Sequence, residues 1–293
     1  MDVFKTRPGI NESIPVNNEN YMSATKKLPP FCRKRADGSL MYYGVCPLCD
    51  NPVQLIGLFK SEPDSIKPYA RHHKGTIENL AEYDEEAYFA CPYANPGKSK
   101  ANIRRKPDSK TAALLYNLLR DQFDRIIYIL EKTTGIKISE AFAEKLLKSY
   151  VVNEGWMYYD STQDNLPYML LYAEPAYSII NRLVEKDSDL YKGILENCST
   201  VELQSVNKRY SKVVPKDNRY TEVKFILAEH HNRVEDNHLT ETFSLHIIES
   251  NDIVCSQKIE VDPDFLRRLL QLSEERSLRN RKLLQIAEKV CGS

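Results

Sequence analysis

The sequence has no excess charge of either sign, no long apolar run and no signature of nucleotide or serine chemistry. Lys+Arg and Asp+Glu are equal at 41 each in 293 residues, so the chain as a whole is not a polycation seeking nucleic acid. No stretch approaches the roughly 18 apolar residues of a membrane span. The opening residues, MDVFKTRPGINESIPV, lack the apolar core of a secretory signal. No membrane partner is therefore expected. The absence of Walker A, GxGxxG, GxSxG and HExxH patterns removes support for a nucleotide cofactor and for Ser-type hydrolysis. No internal repeat is present. What remains is a composition of 42% apolar and 28% charged residues, that of a folded protein long enough for two modules.

There are seven cysteines, an odd number, and without an export signal they argue against a disulfide scaffold and for the cytoplasm. Clustered thiols in that setting hold metal more often than they pair. Cys46 and Cys49 enclose Pro47-Leu48, a spacing that lets two sulfurs at a tight turn face one ion. His72 and His73 follow just over twenty residues later, then Cys91, itself followed by proline. The expected set is Cys46, Cys49, one of His72 and His73 (His72 by preference) and Cys91. Cys32 is a substitute, because the basic run Cys32-Arg33-Lys34-Arg35 favours its thiolate. Mixed thiolate and imidazole donors favour Zn²⁺ over iron, and four protein ligands make the site structural rather than catalytic. The competing reading is a set of reduced buried cysteines beside exposed histidines.

Cys46-Pro47-Leu48-Cys49, then Pro52-Val53 entering a strand, then Lys67-Pro68-Tyr69-Ala70-Arg71-His72 resembles the zinc-knuckle segment of competence CoiA-like proteins. That family runs CPxC, a β-hairpin and a proline-aromatic-histidine motif. The resemblance covers under a tenth of the chain. The family's first histidine falls on Tyr69, and Cys91 has no counterpart. It implies a DNA-linked bacterial protein with a nuclease-like domain downstream. It carries over His72 as a ligand and no catalytic residue.

Pattern along the chain predicts an α+β fold: an N-terminal zinc-knuckle or ribbon-like module, a helical segment, and an antiparallel β-meander with a long C-terminal helix. Residues 1–30 read as an irregular arm and 31–95 as the zinc module. In that module, strands are expected at Leu40–Val45 and Val53–Phe59, and a helix capped by Thr76 through Tyr88. Residues 96–110 read as a basic linker. Residues 111–293 form the α+β domain, with helices over 111–197, strands over 220–261 and a helix over 262–290. Apolar residues from Leu115 to Leu130 recur at helical spacing and Gly135 ends that helix, while Ser139 opens the next. Tyr220–Glu229, Thr240–Glu249 and Ile253–Val261 are the strand runs. Asp262-Pro263 suits a helix start, with an interruption near Ser277.

Other chemistry is weaker. Lys98, Lys100, Arg104, Arg105 and Lys106 are dense enough to contact phosphates, and residues 1–110 carry about 17 basic against about 13 acidic residues. Glu222-Val223-Lys224 has the ExK form of Mg²⁺-dependent nucleases, with Glu202 or Asp217 as the second carboxylate. The plainer reading is a solvent-facing pair on a strand. His230, His231, Glu235, Asp236 and His238 gather near a turn, as a second metal site or simply as polar loop residues. Tyr158, Tyr159, Tyr168, Tyr172 and Tyr177 crowd around the single tryptophan, Trp156, as stacking platforms or, more plainly, as core. Three functions result: a nucleic-acid or nucleoprotein binding protein of a bacterium or mobile element, a protein–protein adaptor with structural zinc, and a nuclease using Glu222 and Lys224. The balance leans away from an enzyme.

Overall fold

A computed structural model describes residues 1–10, 12–59, 67–96, 103–272 and 279–292. The fold is α+β, with antiparallel sheets. No helix among the described residues is long and apolar enough to cross a membrane. Two compact units are present, both discontinuous in sequence. One comprises Met1–Tyr116, Trp156–Thr162 and Asn232–Thr240; the other comprises Asn117–Gly155, Gln163–His231 and Glu241–Ser293. A contiguous division at 31–95 and 111–293 does not describe them.

The first unit opens with β1 (Val3–Phe4) and β2 (Ile14–Pro15), which pair, and α1 (Asn18–Thr25). The expected irregular arm is thus folded. Phe4 and Tyr21 are fully buried, and Tyr21 Oη donates to Phe31 O at 2.6 Å. Elements this short carry too few apolar residues to set a period, so long-range burial alone orders them. A four-stranded sheet follows in the order β3 (Cys32–Lys34), β4 (Leu40–Val45), β5 (Pro52–Ile56) and β6 (Tyr69–His72), each neighbour antiparallel. One face packs with Phe4, Tyr21, Val53 and Leu55. The other carries Tyr43 and Val45, covered by Ile77, Leu80 and Ala81.

That cover explains why no helix starts at Thr76. Its Oγ1 accepts from Tyr83 N at 3.1 Å, and the segment turns back on itself through an Ile77–Ala81 bridge. The helix begins later, as α2 (Glu85–Ala90), where Asp84 caps it by accepting from Ala87 N at 2.9 Å.

In the chain after α2, α3 (Lys110–Thr134) carries Leu115, Leu119, Phe123, Ile126, Ile127 and Leu130 at helical spacing, all buried, with non-helical backbone at Gln122. Gly135 at φ +73° ends it, where a Cβ would meet Ser188 Oγ at 2.8 Å. Ser139 caps α4 (Glu140–Val152), as expected. Pro167 sits in the first turn of α5 (Leu166–Tyr172), where a missing N–H costs nothing.

Of residues 176–197, expected as helix, only α6 (Asp189–Asn197) is helical. β7 (Tyr177–Ser178) and β8 (Leu183–Glu185) are extended because each finds a sheet partner. β8 joins β10 (Tyr210–Pro215) and β9 (Val201–Ser205), two strands the pattern did not signal. The expected meander is β11 (Val223–Glu235), β12 (His238–Glu249) and β13 (Asp252–Glu260), with β7 on its free edge. Among the described residues after 262 are two helices, α7 (Phe265–Leu270) and α8 (Arg281–Cys291), where one helix with an interruption was expected. Asp262 makes a turn by accepting from Asp264 N at 2.9 Å, which delays the helix start. Ser277 lies outside the described residues.

Candidate metal centre

The hairpin of β4 and β5 turns at Cys46–Asn51. Cys46 N donates to Asn51 O at 2.8 Å and Asp50 N to Cys46 O at 3.2 Å, with Asp50 at φ +60°. This knuckle turns both thiols to one side. β6 brings His72 opposite Val53, and the C-terminal end of α2 delivers Cys91. Cys46 Sγ and Cys91 Sγ are 3.7 Å apart, and Cys49 Sγ lies 3.2 Å from His72 Nε2. All four donor atoms fall within 4.8 Å of one another, close enough to share one ion. The three cysteines are buried. Among the described residues this is the sole cluster of three or more His, Cys, Asp or Glu side chains placed to hold a metal.

Strand geometry decides between the adjacent histidines. Successive side chains in β6 and its continuation point to opposite faces. His72 faces the thiols, with the Tyr88 ring edge-on at 5.3 Å, while His73 packs against Tyr43 at 5.4 Å on the other side. Burial and the Arg33 charge lower the His73 pKa. Cys32 pairs with Tyr42 in the sheet and is outside the cluster. Neither alternative ligand is therefore brought to the site.

Burial raises the cost of every thiolate here. At Cys46 that cost is outweighed by hydrogen bonds from Cys49 and Cys91 and by the His72 charge, which pull its pKa well below the ordinary value. At Cys49 and Cys91 burial, then the contacts with Cys46, push the pKa well up. Three thiols sharing one small buried volume cannot all ionise on their own charge balance; a metal cation held there would supply the missing positive charge. The donor set thus fits a metal.

Spacing gave no hint of the supporting residues. Asn51, fully buried, donates from Nδ2 to Cys49 Sγ at 3.4 Å and to Asp84 O at 3.0 Å, while its Oδ1 accepts from Asp84 N at 2.7 Å. It ties the knuckle to the start of α2. Lys5, also buried, pairs with Asp50 and donates to Pro47 O at 3.1 Å. An Asn immediately after a CxxC-Asp turn was the available signal.

The basic segment is used differently from expectation. Arg105 is only 4% exposed, and its guanidinium donates to Trp156 O at 3.0 Å, Ser161 O at 2.7 Å and Tyr158 O. It is an internal clamp on residues 156–161, not a phosphate contact. Lys106 pairs with Asp84 at 2.7 Å, and Arg104 lies over the Tyr158 ring at 5.3 Å. Lys98 and Lys100 lie outside the described residues.

Glu222 and Lys224 pair with each other, Glu222 preceding the strand, and Glu222 belongs to no cluster of three metal-ligating groups among the described residues. The second histidine group disperses. His238 meets Asp2 at 2.8 Å, Glu235 meets Arg233, and His230 meets Glu241 while stacking on Phe243 at 4.4 Å. His246, on β12 as expected, bonds Ser256 Oγ at 2.7 Å. The aromatic crowd is divided between local cores: Trp156 packs on Tyr116, Tyr168 and Tyr172 on Phe243, and Tyr177 on Phe142.

Compared with protein-family models, with curated proteins and with solved structures, the chain matches none, so the functional reading rests on the geometry of this site.

Proposed function

We propose that the protein is a zinc-organised binding protein whose partner is nucleic acid or a nucleoprotein. The observation that carries this reading is the closed Cys46–Cys49–His72–Cys91 set. A tetrahedral Zn²⁺ with Zn–S bonds of ~2.3 Å has S–S edges of about 3.8 Å. The 3.7 Å between Cys46 and Cys91 fits that edge. Soft thiolates favour zinc over hard cations. Four protein donors leave no position for water or substrate, so the ion is structural and holds the knuckle, β6 and α2 together. The described cysteines are all free thiols, which supports a reducing, cytoplasmic setting.

With Arg105 and Lys106 engaged internally, support for a polyanionic partner comes from the sheet of the same unit. Lys34 on β3, Arg71 on β6 and Arg35, which follows β3, are exposed, without an ion pair among the described residues. The likeness of residues 46–72 to the CoiA-like knuckle favours DNA as the polyanion. Two measurements test the reading. Metal analysis of purified protein should find one zinc per chain. Anisotropy with labelled single- and double-stranded oligonucleotides should show binding that falls steeply with salt. Replacing Lys34, Arg35 and Arg71 by Ala together should reduce the log–log salt slope by about 3, near one unit per phosphate contact. Absence of binding at low salt refutes the nucleic-acid assignment and leaves the protein–protein adaptor with structural zinc.

A further inference from the structure

The second unit contains a cavity of about 700 Å³ between α3, the start of α4, α7 and the start of α8. That is within the ~300–1,000 Å³ of small-molecule sites. Ile127, Ile138, Leu269, Leu272 and Leu283 supply apolar wall. Five charged residues line it as well, and four of them are neutralised by an ion pair. Asp124 is held by Arg279 Nε at 2.8 Å and Nη2 at 2.9 Å, Glu131 and Lys137 hold each other at 2.8 Å, and Glu140 meets Lys282 at 3.2 Å.

Arg125 is the exception. It is 9% exposed, and among the described residues its guanidinium makes one hydrogen bond, from Nη1 to Gln122 Oε1 at 2.9 Å, across the kink in α3. A guanidinium has five N–H donors. Asp124, the carboxylate whose charge acts on Arg125, is already shared between Arg279 and Asn280 N. Burial, and then the like charge of Arg279, pull Arg125 below the usual guanidinium pKa, and the Asp124 charge offsets them only in part.

We propose that this cavity binds a small amphipathic carboxylate, its apolar body against the leucines and isoleucines and its carboxylate on Arg125. A planar two-oxygen anion matches the unused guanidinium edge. The apolar walls require a body larger than the anionic group alone. This site is separate from the thiol cluster and does not depend on the binding role proposed above.

Isothermal titration of the full chain with octanoate, octan-1-ol and acetate tests it. Octanoate should bind at least tenfold more tightly than either octan-1-ol, which keeps the chain and loses the charge, or acetate, which keeps the charge and loses the chain. Arg125→Gln should bring octanoate to within threefold of octan-1-ol. Leu269→Trp, which fills the cavity and keeps Arg125, should abolish octanoate binding. Octanoate binding no tighter than its two analogues, or unchanged in either variant, overturns the proposal. The comparison of the three probes on the unaltered protein stands by itself should a variant fail to fold.

Discussion

Replacing Cys91 by Ser removes one of four donors, and one of three thiols, and leaves the knuckle turn of Cys46–Asn51 in place. A structural zinc site contributes roughly 10–16 kcal/mol at neutral pH, so one ligand's share is about 2.5–4 kcal/mol, or two to three orders of magnitude in zinc affinity. A serine oxygen recovers little of this, because it stays protonated where the thiol ionises. Cys91 is 1% exposed, among Ala87, Ala90 and Val53, so the substitution also leaves a polar hydroxyl in the core. Competition against a chromogenic zinc chelator measures the affinity, and thermal unfolding followed by circular dichroism measures the consequence. We expect Cys91→Ser to release zinc to a chelator that the unaltered protein resists. We also expect the transition of the first unit to fall while that of the second, with its own core, is retained. Cys32→Ser and His73→Ala, which alter neighbours outside the cluster, should keep zinc. An affinity for Cys91→Ser within threefold of the parent, or zinc lost in Cys32→Ser, would refute the assignment.

Three further outcomes follow from the geometry. Arg105→Ala should cost about 3 kcal/mol in chemical denaturation, since three backbone carbonyls lose a buried charged donor; a change under about 0.5 kcal/mol would return Arg105 to the surface role first expected of it. Glu249 is buried, which opposes its ionisation, but the hydroxyl and N–H groups of Thr200 and Ser199 outweigh burial and lower its pKa to about 2. A depressed carboxylate stabilises the fold above its unfolded value of 4.5 and loses that contribution as pH falls toward 2. After allowing for solvent screening this is about 2 kcal/mol, and Glu249→Gln should flatten the pH dependence of stability across that window. Gly135→Ala should cost about 1–2 kcal/mol, from positive φ and from contact with Ser188; an unchanged melting temperature would show that the turn relaxes freely.

Local pattern determined the parts of this protein in which neighbouring residues specify one another. Ser139 and Gly135 bound their helices, the 3.6-residue recurrence from Leu115 to Leu130 marked α3, and β-rich runs between polar turns marked the β11–β13 meander, because each depends on the backbone within a few residues. The CxxC spacing likewise indicated a knuckle, and Cys91 and a histidine were legible as its complement. Tertiary structure decided everything that needs residues distant in sequence. It chose His72 over His73 by setting which face of the extended chain meets the thiols. It ordered the N-terminal segment by burying Phe4 and Tyr21, and it made strands of residues 177–178 and 183–185 by giving them partners. It also reversed the meaning of charge: Arg105 became a clamp and Arg125 a buried cation beside a cavity. A sequence records that a guanidinium is present, but its energy depends on how much water and which counter-charge surround it, and only the folded chain fixes those.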